Sequence, residues 1–359
     1  VTVAGVDLGG SKIAAVLLDE SGAVRGELWQ EHRIDGPDEA VGLIADVVGE
    51  LVSRELAASP IPAGQMAGGQ MTSGECPAGT PTAAGSRGLT SVGLAVAGWL
   101  SRDRQDVRTA VNLGITATPL ARLVQARLNC PVLVENDGNA AAFAEFARGA
   151  GQGAQVLLLI TLGTGVGGGI VVSGTLAGGS HGLAGELGHV PVDRNGPVCC
   201  CGGRGCLELY ASGTAVMTQA RLRAGQPDGA AILALAAGQP GQITPREVVQ
   251  AAAGGDACAA GLLAAAGRAV GQAVAVVMPV LDPDLVVLTG SLARSAGDLI
   301  LLPARQELAR AHTLQAVLTP VPIMLGQTGP AAAALGAAEL ARRHPAARTP
   351  ARAAQEMPH

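Results

Sequence analysis

One pattern occurs twice in this chain: an apolar run, a glycine-rich turn and a second apolar run. VTVAGVDLGGSKIAAVLLD carries it near residue 9, and QVLLLITLGTGVGGGIVVSG carries it again near residue 165. Runs this short and this rich in Val, Ile and Leu read as buried strands, with the glycine turn joining them. The repetition is a coarse two-fold one, and a length of 359 residues suggests two domains.

The segments around these runs fill in the pattern. ESGAVRGELWQEHR supplies a Ser-Gly turn and a third strand, and PDEAVGLIADVVGELVSREL spaces its apolar residues as a helix does. Strand LTSVGLAVAG, helix TPLARLVQARLN, strand PVLVEND and helix GNAAAFAEFARGA follow. Long Ala-rich helices are expected from Ser212 to Met278, then strand DLVVLTG and a last helix, PAAAALGAAELARR. Residues 58–88 turn to Gly, Pro, Ser, Thr and Ala, the composition of a flexible insertion, and residues 345–359 read as a disordered tail. With two Phe, one Tyr and two Trp the core must be built from small aliphatics, and 52 glycines let elements approach closely.

A net charge of −5 without a basic stripe argues against nucleic acid and against an anionic membrane as partners. No run of about 18 uninterrupted apolar residues occurs. The first residues lack the basic region and cleavage site of a secretory leader. The expectation is a cytoplasmic protein, in which disulfides rarely persist.

In DLGGSK, Asp7 closes a strand, and Gly9, Gly10 and Ser11 form the turn before Lys12. In TLGTGVGGG, the same part falls to Thr161, Gly163, Thr164, Gly165, Gly167 and Gly168. Glycines let backbone N–H groups converge on phosphate oxygens, and Ser11 and Thr164 add hydroxyl donors. Neither turn matches the dinucleotide fingerprint or the Walker pattern, and either one alone reads first as a plain hairpin. Two of them, the first preceded by an aspartate able to hold Mg²⁺ through water, favour a phosphate ligand.

Between the turns, Glu135, Asn136 and Asp137 end a strand, where open α/β sheets carry functional side chains. A carboxylate there could take a proton from a sugar hydroxyl, and Asn136 could bond a neighbouring one. On residue type alone, a helix N-cap is the better account.

HVPVDRNGPVCCCGGRGCLE holds four of the seven cysteines within eight positions. An odd count in a reducing compartment points to metal rather than to bridges. His189, Cys199, Cys201 and Cys206 supply three thiolates and one imidazole, a complete tetrahedral Zn²⁺ shell with no open position, hence a structural ion. Cys200 then points outward. A metal-free thiol loop and a nucleic-acid zinc knuckle are the alternatives, and the acidic charge and scarce aromatics speak against the knuckle.

Taken in order, DLGGSK, END, TLGTGVGGG, GELGH and CxCGGRGCLE resemble the ROK family of sugar kinases and related repressors. AVAGWLSRDRQDVRTAVNLG and GPAAAALGAAELAR are similar to that family's glucokinases from high-GC Gram-positive bacteria. The resemblance spans all but residues 58–88 and the tail. It implies an actin-like ATPase (ribonuclease H-like) sugar kinase fold, two α/β domains around a cleft. Residues 1–118 with 330–344 would form the smaller domain and 119–329 the larger, zinc-bearing one.

The implied activity is ATP-dependent phosphorylation of glucose at the 6-hydroxyl, with Asp137 on the position of the catalytic base. Gly98, Asn112, Asn136, Asp137, Glu186, His189 and Glu208 fall on sugar contacts. Asp7, Gly9, Gly10, Ser11, Lys12, Thr161, Gly163, Thr164, Gly165, Gly167 and Gly290 fall on contacts to ATP and its Mg²⁺. His189, Cys199, Cys201 and Cys206 fall on the zinc ligands, so the ion would clamp a loop whose two ends grip the sugar. Family members are commonly homodimers or homotetramers.

Three features depart from the family pattern. Gly10-Ser11-Lys12 replaces the usual Gly-Thr-Lys, keeping a hydroxyl. Thr289-Gly290-Ser291 replaces a run of glycines and adds bulk beside the expected adenine pocket. The 58–88 insertion has no counterpart. A sugar-responsive repressor would carry a helix-turn-helix domain ahead of Asp7, where six residues leave no room. A kinase for fructose, mannose, N-acetylmannosamine or N-acetylglucosamine is the alternative to glucose.

Overall fold

The computed structural model describes residues 2–58, 88–311 and 321–344. Residues 59–87 of the expected insertion and the whole expected tail lie outside them. By its internal contacts the chain divides into two units, Val1–Glu135 with Ala337–His359, and Asn136–Gly336.

The first unit is built on a five-stranded sheet. Strands β1 (Thr2–Leu8) and β2 (Lys12–Asp19) form an antiparallel hairpin through the first glycine turn, and β3 (Val24–Glu31) continues it. Helix α1 (Pro37–Ala58) leads to β4 (Leu89–Val96), which lies parallel to β1. The short strands β5 (Trp99–Leu100), β6 (Val107–Ala110) and β7 (Ile115–Thr118) make a separate three-stranded sheet. Helix α2 (Leu120–Leu128) and β8 (Val132–Asn136) complete the unit, and the sheet order is β3-β2-β1-β4-β8.

The second unit repeats this plan. After α3 (Asp137–Arg148), strands β9 (Val156–Leu162) and β10 (Val166–Val172) form an antiparallel hairpin through the second glycine turn. The two-residue β11 (Thr175–Leu176) pairs with β10. Helices α4 (Glu208–Ala211), α5 (Gly213–Arg223), α6 (Ala230–Leu235), α7 (Pro245–Ala253) and α8 (Ala257–Leu281) follow. Strand β12 (Leu285–Thr289) lies parallel to β9, and β13 (Ile323–Leu325) lies parallel to β12. Between them run α9 (Ser291–Ala296) and α10 (Asp298–Ala311), and α11 (Ala332–Arg343) closes the described chain. The sheet order is β11-β10-β9-β12-β13, so the duplication expected from the two glycine turns holds strand for strand.

Two expectations need correction. The borders fall after residues 135 and 336 rather than after 118 and 329. Val124 and Leu128 of α2 are buried in the same core as Ile44 and Val48 of α1, and β8 lies beside β4, so residues 119–135 belong to the first unit. The stretch from Ser212 to Met278 is not a set of long helices, because only α8 is long. Pro227, Pro240 and Pro245 each start a new helical turn, the position where a residue without an N–H costs no intrahelical bond.

Helix α8 has the length and hydropathy of a membrane span, yet half of its most apolar window is buried inside the unit. Gly267 and Gly271 bring it against α10. A Cβ on either would stand 2.3 Å from the Ile300 carbonyl oxygen or 2.5 Å from that of Ala304. Close helix contact thus makes up for the small area each alanine buries.

Candidate active site

In the second unit, the start of β10 gathers most of the expected sugar-site residues. Asn136 caps α3, its Oδ1 accepting from the amides of Gly138 (2.9 Å) and Asn139 (3.1 Å), so the cap expected from residue type is present. That cap sets Asp137 as the first residue of α3. Gly138 lies so close to β10 that a Cβ would stand 2.4 Å from the Gly168 carbonyl oxygen. The turn of GELGH packs on the same strand, where a Cβ on Gly188 would meet the Val166 oxygen at 2.2 Å. Glu208, heading α4, accepts from the Val166 amide at 3.0 Å. Asp137, Glu186, His189 and Glu208 therefore sit on segments that all converge on Val166–Gly168.

The Asp137 side chain is partly open to solvent but densely surrounded by protein. Burial raises its carboxyl above the ordinary aspartate range, while the Gly138 amide, bonded to Oδ1 at 2.9 Å, pulls the other way. A carboxylate that binds protons more readily than usual suits a general base. Glu135, one residue earlier, is a structural group: it is buried and paired with Arg104.

The glycines of the second turn divide into two kinds. Gly163, Thr164 and Gly165 make the turn itself, stapled to the start of α5 by Gly213 N to Gly163 O (2.8 Å) and Thr214 Oγ1 to Thr164 O (2.9 Å). Thr161 and Gly167 instead face each other across β9 and β10, and Gly168 also lies in β10. Their placement in the turn is corrected: Gly168 lets α3 and the GELGH turn approach the sheet, and a Cβ on Gly167 would meet Thr161 Cγ2 at 2.9 Å. A Cβ on Gly168 would meet Leu187 Cδ1 at 2.5 Å and the Gly185 oxygen at 2.7 Å. Gly290, at φ 94°, follows β12, and a Cβ there would stand 2.3 Å from the Leu162 oxygen.

Thr164, Gly163 and the start of α5 also border a cavity of about 670 Å³. Its walls are one face of α7, with Pro245, Arg246, Val249, Gln250 and Ala253, and Ser291, Leu292 and Ser295 of α9. Of these, Ser291 is read from the sequence as adding bulk beside the expected adenine pocket, and the α7 residues, Leu292 and Ser295 escape that reading. The Thr244–Glu247 capping box and Pro245 at the first turn are the local signals for where α7 starts.

Cys199, Cys201, Cys206 and His189 come together: their ligand atoms all lie within 4.8 Å of one another. The Cys201–Cys206 Sγ separation is 3.6 Å, and Cys199 Sγ lies 3.7 Å from His189 Nδ1. A tetrahedron with Zn–S bonds of about 2.3 Å has edges of about 3.8 Å, so the donor set fits zinc. Without a cation, burial and the Cys201 thiol push Cys206 up to about 12. A metal ion is what would make these sulfurs thiolates together. Cys200 is exposed, outside the set. The loop is held by bridges Pro191↔Cys206 and Val198↔Arg204 and by Gly205 at φ 63°, where a Cβ would fall 1.6 Å from the Asp193 oxygen.

In the first unit, Gly9 N donates to Lys12 O (3.0 Å) and closes the first turn at the end of β1, where Asp7 lies. Asn112 stands over this turn, its Cβ 2.8 Å from where a Cβ on Gly10 would be. Ser11 is exposed. Lys12 opens β2 with its ammonium 5.7 Å from the centre of the Trp29 ring. Gly98 approaches β6, where a Cβ would meet the Thr109 oxygen at 2.5 Å.

Two α/β units of matching strand order, each with a hairpin closed by a glycine turn, define the actin-like ATPase fold of ROK sugar kinases. The ROK family profile matches residues 80–344, and the chain belongs to that family. The glucokinase of Streptomyces coelicolor is 34% identical over 345 residues, 94% of this chain and 96% of its own. The N-acetylmannosamine kinase of Yersinia pseudotuberculosis is 30% identical over 303 residues, covering 84% of this chain and 87% of its own. A crystal structure of a ROK family glucokinase from Streptomyces griseus, in complex with glucose and AMPPNP, has a TM-score of 0.76 at 31% identity. That likeness covers 96% of this chain and 100% of the other.

Proposed function

We propose that this protein transfers the γ-phosphoryl group of ATP to the 6-hydroxyl of glucose. The observation that carries the reading is the convergence of the Asp137, Glu186–His189 and Glu208 segments on the first residues of β10, directly after the second glycine turn. Asp137 takes the proton of the 6-hydroxyl as its oxygen bonds to phosphorus and the bond to the β-phosphate oxygen breaks, releasing ADP. Glu186, His189 and Glu208 hold the remaining hydroxyls. The glycine turn of the second unit serves the phosphates, whose charge Mg²⁺ bound with ATP would neutralise. A zinc ion on His189, Cys199, Cys201 and Cys206 takes no part in the chemistry. With Nδ1 of His189 facing the Cys199 sulfur, its Nε2 is the ring nitrogen left for the sugar.

The test is ADP release, measured for a panel of glucose, fructose, mannose, N-acetylmannosamine and N-acetylglucosamine. The highest kcat/KM for glucose supports the reading. The Yersinia relative favours one rival, and a preference for N-acetylmannosamine would establish it. No ADP with any hexose would overturn the kinase reading.

A further inference from the structure

The loop from His189 to Cys206 is tied to α4 by a bond that involves none of the metal donors. The Tyr210 hydroxyl donates to Asp193 Oδ2 at 3.0 Å. Asp193 is held ready for it. Its Oδ1 accepts from the Asn195 amide at 2.9 Å, and its carbonyl oxygen accepts from the Gly196 amide at 3.0 Å. An aspartate bonded to its own turn in this way has its carboxylate fixed before a distant partner arrives. A Cβ on Gly196 would stand 2.3 Å from the Tyr210 hydroxyl oxygen, so the phenol reaches Asp193 through space that a side chain there would fill.

Helix α4 is a single turn, Glu208–Ala211, and one turn does not hold its own direction in water. Its direction is set from outside. Glu208 and Tyr210 are two residues apart, hence about 200° apart around the helix axis, so their side chains leave it on opposite sides. Glu208 fastens one side to β10 through the Val166 amide at 3.0 Å, and Tyr210 fastens the other to Asp193. Cys206, one of the four metal donors, stands two residues before Glu208. Between them, the Leu207 amide donates at 2.9 Å to the oxygen of Val190, the residue after His189. We infer that Tyr210 and Asp193 are positioning residues for the sugar site: their bond fixes the angle at which α4 leaves the loop, and so keeps Glu208 and the Cys206 donor in register. The sugar part of this role rests on the kinase reading above, and the hold on the metal loop does not.

The experiment measures zinc loss to a chromogenic chelator, and steady-state kinetics with glucose and ATP each varied, for the zinc-loaded wild type, Tyr210→Phe, Asp193→Ala and the double variant. Tyr210→Phe removes one oxygen and keeps the ring, so the fold is not at stake. The bond is charge-assisted but open to water, which sets its worth at a modest factor. Tyr210→Phe is expected to release zinc about three- to tenfold faster and to raise KM for glucose by a similar factor. Because the Glu208 bond to Val166 survives, kcat and KM for ATP should move less than about twofold. A general loss of structure would move all of them together. In the Asp193→Ala background the same change should add less than about 1.5-fold, since the partner is already gone. Zinc loss or KM for glucose at the wild-type value in Tyr210→Phe overturns the inference, as do single-variant effects that multiply in the double. A wild type that carries no zinc overturns it too. A wild type that holds zinc but phosphorylates no hexose overturns the kinase reading, and the sugar part of the role with it.

Discussion

The Glu208 carboxylate accepts a hydrogen bond from the Val166 amide at 3.0 Å, and the same oxygen lies 2.6 Å from where a Cβ on Gly165 would be. A residue expected to hold the sugar thus also braces the turn expected to hold phosphate. Removing the side chain should therefore harm both substrates. Glu208→Ala is expected to raise KM for glucose and for ATP by about 10–100-fold each, the range for a lost hydrogen bond to a charged group. Glu208→Gln keeps an acceptor oxygen for Val166, so KM for glucose should rise while KM for ATP stays within about threefold. Steady-state kinetics with each substrate varied separates the two roles. An Ala variant with a normal KM for ATP would mean that the brace is idle.

Asp137 should show its raised pKa in two ways. A general base works when ionised, so kcat falls as pH drops through its pKa and levels off above it. Burial places that acidic limb at higher pH than an exposed aspartate would. Asp137→Asn should lower kcat by about 10²–10⁴ with little change in glucose affinity. Stability responds with the opposite sense. A folded-state pKa above the unfolded one gives stability that is present at low pH and is lost as pH rises through the folded value. Asp137→Asn should therefore melt higher than the wild type at pH 7, and the two should converge below about pH 3, where the carboxyl is protonated in both states. Melting curves across pH check this.

The sequence revealed the strand-and-turn skeleton because both hairpins are strongly apolar and their turns are pure glycine chemistry. DLGGSK and TLGTGVGGG became the β1–β2 and β9–β10 turns, and the His189–Cys206 spacing became a compact donor cluster. What it concealed is long-range. Gly167 and Gly168 looked like phosphate-turn residues, yet each is set in β10, and for Gly168 the reason is contact with Leu187 and Gly185, far away in sequence. The α7–α9 cavity has no motif because its walls come from segments separated by some forty residues. The domain borders were missed because α2 joins α1 through buried Val124 and Leu128, which have no local marker of their partner.

Glu145 was likewise silent in the sequence, and it should matter for stability. Its carboxylate is fully buried on α3 and accepts from the amides of Ala150 (2.9 Å), Gln327 (3.1 Å) and Thr328 (2.9 Å) and from the Thr328 hydroxyl (2.6 Å). It ties the end of α3 to the loop after β13. Glu145→Gln turns an NH₂ group toward N–H donors that need an acceptor. The expected loss is about 1.5–3 kcal/mol, read from denaturant melts, with the zinc content unchanged.

The metal loop gives a prediction that separates ligand chemistry from backbone geometry. Cys201→Ser removes one of four donors, and the protein should lose bound zinc on dialysis against a chelator while the wild type keeps about one ion per chain. Because His189 and Glu208 flank the loop, KM for glucose should rise by about tenfold or more, with KM for ATP affected less. Gly205→Ala leaves every donor in place but is expected to act the same way. Gly205 sits at φ 63°, and a Cβ would fall 1.6 Å from the Asp193 oxygen, so the backbone must move and carry Cys206 with it. Zinc analysis and glucose titration on both variants check the link. A zinc-free Cys201→Ser protein with normal glucose affinity would leave the loop without its clamping role. A Gly205→Ala protein that keeps zinc but loses glucose would place the defect in the backbone alone.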